Sequence, residues 1–186
     1  NNKDMKIPHH DNCIVINGTN RLFEFSAYDE AINYIFEEDK VKDYSHFIIL
    51  NDTFLKNYPL NSLINLNYDL IEDIFSDNKN VYGKIDCYPD KKLKLEDFEF
   101  SNWIRSNFIV IPQNKLKFLK NNVIRFTVEN TFNKDKSLEI FCDERILNFV
   151  DKWLKDDRYN KFKKDNKILI KICTIFNEYN LTNLFR

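Results

Sequence analysis

The chain has 186 residues, 43% of them hydrophobic and 31% charged, enough apolar material for one packed domain and too much for a disordered segment. Its 28 basic and 29 acidic residues leave a formal net charge of -1, so bulk electrostatics makes no case for a nucleic-acid partner or an anionic membrane. The two glycines, Gly18 and Gly83, cannot assemble a GxGxxG or GxxxxGK phosphate loop, which excludes Rossmann-fingerprint and P-loop enzymes.

The longest apolar runs, 47–50, 108–111 and 168–170, fall far short of the ~20 residues that span a bilayer. Residues 1–12 are polar and carry no signal-peptide pattern. The chain opens on Asn1 and so reads as a fragment, a portion of something longer. Cys13, Cys87, Cys142 and Cys173 are scattered without a CxxC pair, which argues for reduced thiols in a cytoplasmic protein.

In chain order, Cys13–Asn17 is a short apolar run closed by the Asn17-Gly18 turn signal and is predicted to be a buried strand. Ser26 with Asp29 three residues on has capping-box spacing, and Tyr28, Ile32 and Phe36 recur at helical intervals behind it. His46–Asn51 (HFIILN) predicts a buried strand that delivers Asp52 at its C-terminal end. Residues 59–75 predict one or two helices, 81–88 a strand, 90–99 a charged loop, and 107–111 a strand stopped by Pro112. Residues 115–119 read as helical, 137–154 as a long amphipathic helix, 155–167 as a charged linker, and 168–184 as a final helix. The alternation of strands and helices predicts an α/β architecture with a mostly parallel sheet flanked by helices. Ligands then bind beyond the carboxyl ends of the strands.

Three constellations can carry chemistry. Asn51-Asp52 at a strand end offers hard oxygen donors suited to Mg2+ or Mn2+, or else forms an Asx turn or helix cap. Asp143 and Glu144, with Glu139 one turn earlier, offer a general base, or else a solvated acidic pair beside Arg145. Trp103-Ile104-Arg105 at a strand entrance offers an aromatic face and a guanidinium for a phosphate or sugar, or else a buried Trp with a surface Arg. The three histidines lack metal-ligand spacing, and no Ser-His-Asp or Cys-His arrangement has supporting local sequence.

The run Asn20-Arg21-Leu22-Phe23-Glu24-Phe25-Ser26-Ala27-Tyr28, the strand ending Asn51-Asp52-Thr53, Tyr82-Gly83, and Ser106 leading into Phe108–Val110 together resemble the rhamnan synthesis protein F-like family of GT-A-type bacterial glycosyltransferases. The likeness covers about residues 14–154. It implies a GT-A-like, Rossmann-like sheet and transfer of a sugar from a nucleotide-sugar donor to a bacterial surface polysaccharide or lipid-linked glycan. It further implies Asp52 as the ligand of Mn2+ or Mg2+, donor contacts at Asn20, Glu24, Tyr28, Asn51 and Arg105, and Asp143 or Glu144 as catalytic base. Leu22 and Ser26 stand where the family has glycines, and residues 1–12 are too short for the family's first strand-helix unit.

The domain plan is then a polar segment at 1–12, a glycosyltransferase-like α/β domain at 13–154, and a charged linker with a C-terminal helix at 155–186. The expected setting is the cytoplasm, peripheral to the inner face of the membrane, with no transmembrane segment and no nucleic acid. The alternative is a non-catalytic glycan-binding or assembly module with a degenerate transferase fold, its uncovered sheet edge closed by a homodimer or hetero-complex. A hydrolase ranks last, since no carboxylate pair is selected by spacing.

Overall fold

A computed structural model describes residues 12–51, 68–88, 91–155 and 167–186. Its regular elements are α1 (Glu24–Glu37), β1 (His46–Leu50), α2 (Tyr68–Ser76), β2 (Tyr82–Cys87), β3 (Leu93–Leu95), β4 (Phe98–Phe100), β5 (Asn102–Pro112), α3 (Glu144–Lys155) and α4 (Lys167–Leu184), with single helical turns at Gln113–Leu116 and Val128–Thr131. Strand β5 lies between β1 and β2 and is antiparallel to both; β3 and β4 form a separate antiparallel hairpin.

This sheet corrects the expected mostly parallel, GT-A-like architecture. Apolar runs identify strands, but the direction of a strand depends on how its connections return the chain, and that is absent from the run itself. Here β5 runs back between β1 and β2, reversing both pairings.

Strand β5 is the spine of the fold. Its 108–112 half pairs with β1, while β2 pairs along its other edge. At residues 104–106, side chains from helices bond to the β5 backbone. Thr182 Oγ1 accepts from Ile104 N at 2.8 Å, and Glu178 Oε1 accepts from Ser106 N at 2.7 Å. The Tyr28 hydroxyl of α1 donates to Ser106 O at 2.8 Å. An unpaired backbone group in a core is costly, so these side chains are what lets β5 continue past the end of β1.

Helix α4 is buried continuously from Cys173 to Leu181. A helix so enclosed must satisfy its polar side chains internally. Asn177 does so by bracketing the 125–126 backbone: its Oδ1 accepts from Arg125 N and Phe126 N, and its Nδ2 donates to Phe126 O. The aromatic rings of Phe100, Trp103 and Tyr179 stack around the same helix, with centroids 4.7 Å apart for Phe100–Tyr179 and 5.1 Å for Trp103–Tyr179. The segment expected to follow a linker is thus a central packing element of the hydrophobic core that the described residues form.

Other expectations shift locally. Residues 13–17 form no strand and stay exposed, because among the described residues no strand offers them a ladder. The expected loop at 90–99 contains the β3–β4 hairpin, whose Leu93, Leu95, Phe98 and Phe100 are all buried. The expected helix at 137–154 begins only at Glu144. Residues before it bridge to other segments, Leu138 to Phe132 and Cys142 to Leu95. Strand β1 buries Ile49 but leaves Ile48 and Leu50 each 52% exposed, so it is half-buried rather than enclosed. No helix among the described residues is long and apolar enough to cross a membrane.

Candidate functional site

Helix α1 starts at Glu24, two residues ahead of the expected cap. Ser26 sits inside the first turn, where its Oγ accepts from Leu22 N at 2.8 Å. The turn leading in is held in unusual backbone geometry, with positive φ at Asn20 (53°) and Phe23 (49°). Such conformations cost free energy for residues with a Cβ, and they re-aim the flanking side chains.

Asn20 and Glu24 are aimed by this turn toward the C-terminal end of β1. There, a cavity of about 510 Å³ is lined by Asn20, Phe23, Glu24, Ala27, Tyr28, Leu50, Asn51 and Lys171. Four residues singled out by sequence, Asn20, Glu24, Tyr28 and Asn51, therefore meet around one hollow. They come from the entry turn, helix α1 and the end of β1. Asn51 is held by its N–H donating to Asn107 O at 3.5 Å, which extends the β1–β5 ladder. Tyr28 is a buried wall, its hydroxyl spent on Ser106 O.

Lys171 was not legible as a site residue. It lies on α4, more than a hundred positions from the rest, and its Nζ sits 5.8 Å from the centre of the Phe23 ring. Only the insertion of α4 into the core brings this cation to the cavity. The lining is then one carboxylate, one ammonium, two amides and an apolar floor, suited to a polar ligand with both hydroxyl and anionic groups.

The remaining selected residues lie elsewhere. Asp143 precedes α3: its Oδ1 accepts from Arg145 N at 3.0 Å and from Arg145 Nε at 2.9 Å, and its own N–H donates to Lys94 O at 2.9 Å. Asp143 is thus a helix cap clamped to Arg145, whose guanidinium draws the carboxyl down to about 2. Glu144 is exposed in the first turn of α3. Neither lines the cavity. Arg105 pairs with Asp86 at 3.1 Å and lies 3.6 Å from Glu178 Oε1, while Trp103 is packed in the aromatic core. Asp52 lies outside the described residues.

Asp52, the metal ligand implied by the resemblance, lies outside the described residues. Among the described residues, Glu24 is the one carboxylate lining the cavity, Lys171 lines the same hollow, and no group of three or more His, Cys, Asp or Glu suited to a metal occurs.

A second cavity, of about 890 Å³, is lined in part by Arg21 and Leu22 of the same turn. Its floor includes Leu22, Ile124, Val128, Leu169 and Ile170, and its wall includes Asp29 and Glu30. Burial and the neighbouring Glu30 charge push the Asp29 carboxyl up. The residues expected from the sequence to contact a donor, a metal or an acceptor are not among its described lining.

Among known proteins, no family model matches the chain and no solved structure matches it. The chain is similar to the DNA-directed RNA polymerase subunit beta of Euglena longa, 34% identical over 140 residues. That stretch covers 69% of this chain and 13% of the polymerase subunit, so the chain spans only about an eighth of that relative's length.

Proposed function

We propose that the cavity at the end of β1 binds the diphosphate and sugar of a nucleotide-sugar donor, and that the chain serves sugar transfer to a glycan or lipid-linked acceptor. The observation that carries this reading is the meeting of Asn20, Glu24, Tyr28 and Asn51 around a single hollow with Lys171. A leaving nucleoside diphosphate needs positive charge close by, and the Lys171 ammonium can supply it. Sugar hydroxyls need acceptors and donors in fixed positions, and a carboxylate with two amides offers both. The cavity volume falls within the ~300–1,000 Å³ usual for small-molecule sites.

Calorimetry of the full chain with uridine diphosphate, with and without Mn2+, tests it. Saturable binding is expected, weakened about tenfold or more in Lys171→Met, the effect of removing one charge-assisted contact to the diphosphate. No binding at millimolar ligand, or binding by Lys171→Met as tight as that of the unaltered chain, ends this reading.

The likeness to the polymerase subunit favours a second reading, a non-catalytic portion of a larger polymerase-like chain. It predicts that the full chain co-purifies with other polymerase subunits and binds no uridine diphosphate. Isolation of the chain free of such partners removes it.

A further inference from the structure

A third hollow, of about 350 Å³, lies at the opposite end of α4 from Lys171. Lys79 ahead of β2, Lys115 after β5 and Arg186 beyond α4 line it, with the amides of Asn80 and Asn102. Three cations from distant parts of the chain converge there, and no Asp or Glu is among the described lining residues. In a chain of net charge -1, such a local excess is not a sample of the average surface.

The acid nearest in sequence does not neutralise this group from within the hollow. Asp77 is outside the lining, and its carboxylate is engaged by Lys79 N at 2.7 Å, Asn80 Nδ2 at 2.6 Å and the Tyr82 hydroxyl at 2.5 Å. Lys115 Nζ stands 5.5 Å from the Phe118 ring, and Arg186 Nη1 donates to the Glu99 carbonyl, contacts that orient the two cations without cancelling their charge. Ile104 and Phe185 back the hollow, and an apolar backing strengthens charge-assisted hydrogen bonds made in front of it.

We propose that this hollow binds the phosphoryl group of a small phosphate ester, held by Lys79, Lys115 and Arg186 with Asn80 and Asn102 as neutral donors. A dianionic phosphoryl oxygen set matches three cations and two amides better than a carboxylate does, since it presents three charged acceptors. The small volume selects an ester of limited size over a polymer. The site is separate from the β1 cavity and stands or falls apart from it.

The test is NMR titration of the full chain with inorganic phosphate, and in a second arm with a single-stranded DNA oligonucleotide. Saturable amide shifts are expected at Lys79, Asn80, Asn102 and Lys115. Lys79→Gln and Lys115→Gln are each expected to weaken phosphate about tenfold, as for loss of one charge-assisted bond, while Lys42→Gln, an exposed lysine that lines none of the three hollows, leaves it unchanged. Circular dichroism checks that the surface variants keep the fold. Phosphate binding that survives the double variant, or that falls equally in Lys42→Gln, overturns the site. Tight oligonucleotide binding that phosphate cannot displace overturns the small-ester assignment.

Discussion

Glu178 Oε1 accepts from both the backbone N–H and the hydroxyl of Ser106, at 2.7 and 2.8 Å. One carboxylate in the middle of a buried helix thus satisfies β5 at a point where none of the described strands pairs with it. With Thr182 at Ile104 N and Tyr28 at Ser106 O, it ties α4 and α1 to β5 by directional bonds as well as apolar contact.

Glu178→Ala leaves Ser106 N and Oγ without their acceptor and removes an acid that stands 3.6 Å from Arg105 Nε. Stability is expected to fall by about 3 kcal/mol, the range for breaking a buried charged hydrogen-bond network. Thr182→Val, nearly isosteric, orphans only Ile104 N and is expected to cost about 1–2 kcal/mol. Urea unfolding at neutral pH measures both, and a loss no larger for Glu178→Ala than for Thr182→Val contradicts the ranking.

Gly83 faces β5 where the β2 register shifts. A Cβ there would stand 2.7 Å from Ile104 Cδ1 and 2.8 Å from the Phe108 carbonyl oxygen. Because one of those atoms is backbone, rotamer change alone cannot relieve the clash. Gly83→Ala is therefore expected to destabilise by about 1–3 kcal/mol, and Ile104→Val in the same chain to restore part of that. Thermal melts of the single and double variants check it; a melting point unchanged by Gly83→Ala refutes the contact.

Asp143 sets one arm of the acid response. Its carboxyl is lowered from the ordinary 3.8 to about 2, first by the Arg145 side chain. A depressed folded pKa means that the folded state holds fewer protons. The contribution is therefore complete above the ordinary carboxyl range and is lost as pH falls toward about 2. Asp143→Asn keeps a good helix cap and removes the titration, so the acid limb of its stability profile is expected to be shallower below about pH 4. Urea midpoints over a pH series decide this, and superimposable acid limbs count against it.

Local features were readable where one segment sufficed. The periodicity at 24–37 and 167–184 marked both helices, and the run at 46–50 marked β1. The alternation of LKL and FEF at 93–100 was equally legible, yet its charged neighbours disguised the hairpin as a loop. Four cavity residues were selected because the resemblance placed them beside a strand end, and their meeting is a property of α1 docking against β1 and β5.

The sequence by itself determined the places of helices α1 and α4 and of strand β1, and that no glycine-rich phosphate loop exists. Tertiary structure alone decided that β5 runs antiparallel between β1 and β2, that α4 rather than a strand completes β5, and that Lys171 joins Asn20, Glu24 and Asn51 while Asp143 does not. The physical reason is separation along the chain: periodicity reports the face a residue presents, whereas strand direction and side-chain convergence depend on contacts between residues far apart, which no local window contains.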